Sequence, residues 1–313
     1  MKKNVSFISS DEITRIHAVQ WIPAGQPKAV VQLIHGMCEY IERYEDFAKF
    51  LCSNGFLVVG HDHLGHGQSV NSIEDWGYIT ENSPARALVR DIHHLRVITQ
   101  KRYPGIPYFI LGHSMGSYLL RRYLTHKGQG LTGAIIVGTG SESDTKTRVG
   151  LTLVRALARS KGWHYRAESL QEMTYSSAYK GFDLTYTDVE NSWICSDPEI
   201  MKAYIDDARC GFLFTTSGFE ALLSTVLFVN QKKNIERIPK ELPLLITSGE
   251  NDAVGNLGKG VKNVYQQYVK AGITDVECKL YPDARHEILN EPIKEEVYAD
   301  ILDWIDRHFP NQM

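Results

Sequence analysis

The sequence predicts an α/β fold in which a mainly parallel sheet carries helices on both faces. Three observations predict it. Apolar, β-rich runs alternate with stretches of helical periodicity, a glycine-flanked serine joins one such run to a helix, and a long helical block interrupts the alternation.

Residues 5–9 and 14–21 read as strands joined without a helix, so the sheet is expected to begin antiparallel. KAVVQLIH (28–35) and FLVVGHD (56–62) are continuous apolar runs, the pattern of strands buried on both faces. Between them Tyr44, Phe47, Ala48 and Leu51 recur at helical spacing within 40–54, and Asn54-Gly55 stops that helix. Ser83-Pro84 opens a second helix that runs to about Tyr103. The strand PYFILGH (107–113), a helix from Met115 and the strand LTGAIIVG (131–138) follow. From 141 to 240 helix-like segments appear without a convincing strand. ELPLLITSG (241–249) then resumes the sheet, with a helix over 256–271, a strand over 275–281 and a terminal helix over 291–309. The expected organisation is one core, 1–140 and 241–313, with a helical cap, 141–240, covering the sheet's carboxyl edge.

Composition narrows the function classes. At 313 residues, 43% hydrophobic and 23% charged, the chain can bury a large core. A net charge of −3 and no basic run argue against a nucleic-acid partner. The two N-terminal lysines lead into no apolar run, so no secretory signal is expected. No stretch approaches the ~20 apolar residues that span a bilayer; the longest, 221–229, is broken by Ser224 and Thr225 and reads as a buried helix. Cys38, Cys52, Cys195, Cys210 and Cys278 are odd in number and lack a C-x-x-C pair. Free thiols in a reducing, cytoplasmic setting are therefore expected.

The chemistry-bearing motif is Gly112-His113-Ser114-Met115-Gly116, a G-x-S-x-G with a strand before it and a helix after it. Its glycines permit a tight turn that forces Ser114 into a strained conformation at the sheet edge. A serine hydroxyl is a poor nucleophile, so a histidine must take its proton and a carboxylate must orient that histidine. In α/β hydrolases the partners follow in the order Ser, Asp, His, each after a strand. Asp252, in SGENDAVG, and His286, in YPDARHEILNE, occupy those places. Glu250 competes as the acid, but Asp252 lies later in its turn, where the acid usually falls. Asp283 and Glu287 are expected to be solvated loop and helix-start residues. The loop His35-Gly36-Met37-Cys38-Glu39 follows a strand and can supply one oxyanion donor, Met37 N–H, beside Met115 N–H.

His61-x-His63-x-x-His66 invites a metal reading, because it approaches H-x-H-x-D-H. Gly65 stands where that pattern needs its acid, and no further acidic or cysteine set completes a site, so no metal is expected. In RVGLTLVRALARSK (148–161), Leu151, Val154, Leu157 and Ala158 share a face near Arg148, Arg155 and Arg159. That stripe can bury itself on the core or meet lipid aggregates. Phe182, Trp193, Tyr204, Phe212, Phe214 and Phe219 can line an acyl pocket or pack in the interior.

HGMCEYIERY (35–44), GHDHLGHGQS (60–69) and YPGIPYFILGHSMGS (103–117), with SGENDAVGN and DARHEILNE, resemble monoacylglycerol lipases and related bacterial lysophospholipases across nearly the whole core. The resemblance implies an α/β-hydrolase fold with an eight-stranded sheet and a helical cap after the sixth strand. It implies hydrolysis of carboxylic esters of acyl chains, with no metal or organic cofactor. It puts the triad on Ser114, Asp252 and His286, the oxyanion donors on Met37 and Met115, and a loop-shaping contact on Glu39 and Arg43. Three positions depart from the family: Cys38 replaces a common glycine, Tyr40 a common histidine, and Gly255 a cysteine of the animal enzymes. Rival functions are a thioesterase or aminopeptidase with the same triad, or a ligand-binding hydrolase fold without activity.

Overall fold

The computed structural model describes residues 1–309. Eight strands form one sheet: β1 (Lys2–Ile8), β2 (Arg15–Trp21), β3 (Ala29–Ile34), β4 (Phe56–His61), β5 (Tyr108–His113), β6 (Gly133–Val137), β7 (Leu244–Gly249) and β8 (Val276–Tyr281). Their spatial order is β1-β2-β4-β3-β5-β6-β7-β8. β2 pairs antiparallel with both β1 and β4, and every other pairing is parallel. The short link between β1 and β2 leaves no room for a crossover, so that pair must form a hairpin.

The helices of the chain are α1 (Glu45–Ser53), α2 (Pro84–Arg102), α3 (Met115–Lys127), α4 (Asp144–Lys161), α5 (Glu168–Glu172), α6 (Pro198–Asp206), α7 (Thr216–Val229), α8 (Lys232–Ile235), α9 (Lys259–Lys270) and α10 (Lys294–Arg307). Apart from the edge strand β8, which places Glu277 and Lys279 in surface ion pairs, alternate residues of each parallel strand feed two cores. Tyr108 and Ile110 of β5 pack with α2, α3 and α9, whereas Phe109 and Leu111 pack with α1 and α10. Both faces are thus apolar, which is why these strands read as unbroken hydrophobic runs.

Three helix starts differ from the sequence expectation, α9 among them, which begins at Lys259 instead of 256. Ile41–Tyr44 forms a 3-10 turn, so the first helix begins at Glu45. The last begins at Lys294 because Glu291 is engaged elsewhere, its carboxylate accepting from the backbone of Ser196 and Arg285. Five helices, α4 to α8, lie between β6 and β7, with only isolated bridges at Arg166–Thr215 and Asp183–Ser192. α4 packs on α7, and α7 in turn packs on α2 and α3. The α4 stripe of Leu151, Val154 and Ala158 is buried, whereas Val149 and Leu153 face outward. No helix among the described residues is long and apolar enough to cross a membrane.

Trp304 of α10 is the largest fully buried side chain and packs edge-on against Phe109 of β5. Trp304→Ala should cost about 3–5 kcal/mol of stability through lost burial and an unfilled cavity. Guanidinium unfolding measures this, and a loss below about 1 kcal/mol would show that α10 is not part of the cooperative core.

Candidate active site

Ser114 is the single residue between β5 and α3, and its backbone stands at φ 54°, ψ −123°. A side chain rarely adopts this region, and it persists only where neighbours enforce it. The flanking glycines explain how. A Cβ on Gly112 would lie 2.4 Å from the Gly116 carbonyl oxygen, and one on Gly116 would lie 2.2 Å from that of Ile34. The turn is therefore closed tightly against the end of β3.

Asp252 and His286 follow β7 and β8 and are both buried. His286 Nδ1 lies 2.9 Å from Asp252 Oδ1, the Ser248 hydroxyl donates to Oδ2 at 2.6 Å, and Val254 N–H donates to Oδ1 at 2.8 Å. Burial opposes ionisation of Asp252, but His286 and the Ser248 hydroxyl hold its carboxyl below its ordinary range. An ionised acceptor requires the proton on Nδ1, leaving Nε2 as the basic nitrogen. Nε2 is buried without a hydrogen-bond partner among the described residues, and His286 lines the same pocket as Ser114. Ser114 Oγ does not hydrogen-bond to it in this arrangement; such contacts commonly tighten when substrate arrives. Glu250, the competing acid, is exposed on the turn.

Met37 and Met115 N–H donate to no group among the described residues, and both residues line the cavity that holds Ser114. Arg43 Nη1 donates to Glu39 Oε2 at 2.7 Å. It also makes a two-pronged pair with Glu287, at 2.7 and 2.8 Å. Glu287 is therefore not solvated as its position suggested: it is buried, because Arg43 reaches it from across the fold.

His113 had no assigned role, yet it joins this network. Tyr44 Oη lies 2.8 Å from both Glu39 Oε1 and His113 Nδ1, and His113 Nε2 lies 3.2 Å from the His286 carbonyl. The single tyrosine proton goes to the carboxylate, so both imidazole nitrogens must donate. His113 is then an imidazolium. Burial works against that charge, but Glu39 outweighs it and raises the His113 pKa. Trp193 also went unassigned to the base; its ring packs 5.4 Å from that of His286.

Two cavities meet at Ser114. The larger, about 1100 Å³ including the open space at its mouth, is lined mainly by apolar residues, among them Val154, Leu170, Leu222, Val226 and Val254, with Glu142 and Lys146 also on its wall. The smaller, about 490 Å³, adjoins His286, Cys38, Tyr204 and Phe212. Of the six aromatics that could either line a pocket or pack in the interior, Trp193, Tyr204 and Phe212 border a cavity. Phe214 and Phe219 are core residues, and Phe182 borders neither cavity.

His61, His63 and His66 are buried with His35 in a cluster of tilted and edge-on rings, with centroids 4.1 Å apart between His35 and His63. Their nitrogens do not converge. Among the described residues the only trio with ligand atoms mutually within 4.8 Å is Asp275, Glu277 and His308, where Arg307 already pairs with Glu277. Burial lowers the pKa of His35 and His61 to about 3 and of His66 to about 4. All three lie below the unfolded value of about 6.5, so unfolding takes up protons and stability falls as pH drops below that point. His113 contributes in the opposite sense, fully below pH ~6.5 and less as pH rises through its raised value. Each lowered histidine should remove up to about 1.4 kcal/mol per pH unit. Urea unfolding at pH 7, 6 and 5 should show this decline before carboxylates titrate; a flat profile would refute the neutral, buried assignment.

A family model described as serine aminopeptidase, S33 (Hydrolase_4) matches residues 25–293. The monoglyceride lipase of Homo sapiens is 28% identical over 92% of this chain and 85% of its own length. The monoacylglycerol lipase of Mycolicibacterium smegmatis is 26% identical over 92% and 91%. A thermostable carboxyl esterase from Bacillus coagulans, solved in complex with glycerol, superposes with a TM-score of 0.90 at 29% identity, covering 98% of both chains. The match of most of the chain to one model, on a sheet whose serine elbow and buried Asp–His pair have the expected order, establishes that this hydrolase belongs to the Hydrolase_4, serine aminopeptidase S33, family.

Proposed function

We propose that the chain is a serine carboxylic-ester hydrolase acting on single-chain acyl esters, such as monoacylglycerols or lysophospholipids, through an acyl-enzyme. One observation carries the reading: the free Nε2 of an Asp-oriented histidine shares a pocket with a strained serine. His286 takes the Ser114 proton as Oγ attacks the ester carbonyl. Met37 and Met115 N–H stabilise the oxyanion, and His286 then protonates the departing alcohol. Water, deprotonated by the same imidazole, attacks the acyl-serine and releases the acid. The large apolar cavity suits the acyl chain, and the smaller one beside His286 suits the alcohol that must receive its proton.

The family's description raises an aminopeptidase reading. Such an enzyme needs a carboxylate for the substrate's ammonium, and the two that border the smaller cavity, Glu39 and Glu287, are both committed to Arg43. Glu142 does line the larger cavity, so it is the apolar remainder of that cavity, suited to a hydrocarbon chain, that favours the ester. Residues 141–240 act in this reading as the cap, their α7 leucines and Val226 forming one wall of the acyl cavity. Outward Val149 and Leu153, with Arg148, Arg155 and Arg159 on the same helix, support transient contact with lipid aggregates. Five unbridged cysteines support a reducing, cytoplasmic location.

Ser114→Ala should keep the wild-type melting temperature and lose about 10⁵–10⁶-fold in turnover, together with fluorophosphonate labelling. Retained hydrolysis in that variant would refute the nucleophile. In a panel of monoacylglycerols, lysophospholipids, acyl thioesters and aminoacyl amides, the oxygen esters should be cleaved fastest. Preference for the amides would overturn the ester reading.

A further inference from the structure

The loop after β3 is tied down from two sides. On the core side, Gly36 N–H donates to Glu39 Oε1 at 2.5 Å, and Ile41 N–H donates to Asp62 Oδ1 at 2.9 Å. On the other side stands the segment between α6 and α7. Gly211 N–H donates to the Cys38 carbonyl at 2.9 Å, and the Cys38 thiol donates to the Phe212 carbonyl at 3.1 Å. Tyr40 Oη donates to Asp207 Oδ2 at 2.7 Å and accepts from Arg209 Nη2 at 2.9 Å. The Arg209 guanidinium also lies 3.9 Å over the Tyr40 ring and pairs with Asp207 at 2.7 Å. Its hydrogen bonds hold Asp207 down to about 2, so the cluster keeps its charges through neutral pH.

Between these anchors Cys38 sits at φ 53°, a region glycine tolerates and a cysteine adopts only under constraint. Since Glu39 and Ile41 are fixed to the core, relaxation at Cys38 turns the chain that precedes it. That chain carries Met37, whose N–H has no acceptor among the described residues.

We infer that Tyr40, clamped by Asp207 and Arg209, is a positioning residue through which the segment between α6 and α7 holds the Met37 amide in the oxyanion hole. The inference rests on the ester-hydrolase reading. Tyr40, Asp207 and Arg209 border neither cavity, so they act on the reaction without touching substrate. An oxyanion donor works mainly in the transition state, so its displacement lowers kcat and leaves KM nearly unchanged.

The test uses the full chain with Tyr40→Phe, Asp207→Asn and the double variant, plus Arg209→Gln on a half-buried side chain as a further entry into the same cluster. A soluble p-nitrophenyl ester gives kcat and KM. A trifluoromethyl ketone, which adds to the serine as an oxyanion, reads the hole directly. Each single variant should lose about tenfold in kcat, a fraction of the ~10²–10³ of a deleted donor. Ketone affinity should weaken by a similar factor, with KM within twofold and the melting temperature within a few degrees. The double variant should be no worse than either single. Undiminished kcat and ketone affinity, a change in KM alone, or losses that track the melting temperature would each overturn the clamp. Inertness of the wild-type chain toward every ester would instead sink the hydrolase reading, and the clamp's catalytic role with it.

Discussion

The site depends on one buried cation. Arg43 lies between Glu39, in the loop after β3, and Glu287, adjacent to His286 in the loop after β8. Those loops come from strands that are not neighbours in the sheet. With one guanidinium bonded to both, the loop that carries the Met37 amide and the loop that carries the imidazole cannot drift independently. A buried ion pair of this kind is weak evidence for net stability, because desolvation offsets most of its attraction. Its contribution here is register: two carboxylates cannot approach each other in a dry interior without the cation between them.

His113 completes the balance. Two cations, Arg43 and the His113 imidazolium, face two carboxylates, Glu39 and Glu287, and Tyr44 relays one of the contacts. The same His113 donates to the backbone carbonyl of His286. The residue preceding the elbow serine is thus bonded to the backbone of His286. The charges beneath the site hold its backbone, while the carboxylate bonded to the His286 ring is that of Asp252, satisfied separately by Ser248 and Val254. Structural and chemical carboxylates are kept apart, so Asp252 has no cation competing for the oxygen that holds the imidazole.

Much of this was legible along the chain wherever the signal was local. The elbow announces itself by two glycines whose missing side chains are sterically required, and Asp252 and His286 by their places just beyond apolar strands. Glu287 shows where local reasoning fails. Beside a loop histidine it reads as solvated, and only the arrival of Arg43 from 244 positions earlier makes it a buried partner. The pocket was half legible for the same reason. Aromatic identity alone does not separate Phe212, which borders a cavity, from Phe214 two residues later, which is sealed in the core.

By itself the sequence determined the order of strands and helices, the strained serine and the places of Asp252 and His286 beyond β7 and β8. Each follows from periodicity, turn chemistry or the fixed geometry of a strand edge, which act over a few residues. Only the tertiary structure decided which charges pair, that the histidine-rich loop is a buried cluster of edge-on and tilted rings, and which helical side chains wall the larger cavity beside Ser114. Pairing and burial depend on groups tens to hundreds of positions apart meeting in a medium of low dielectric, and no stretch of chain read alone contains its partner.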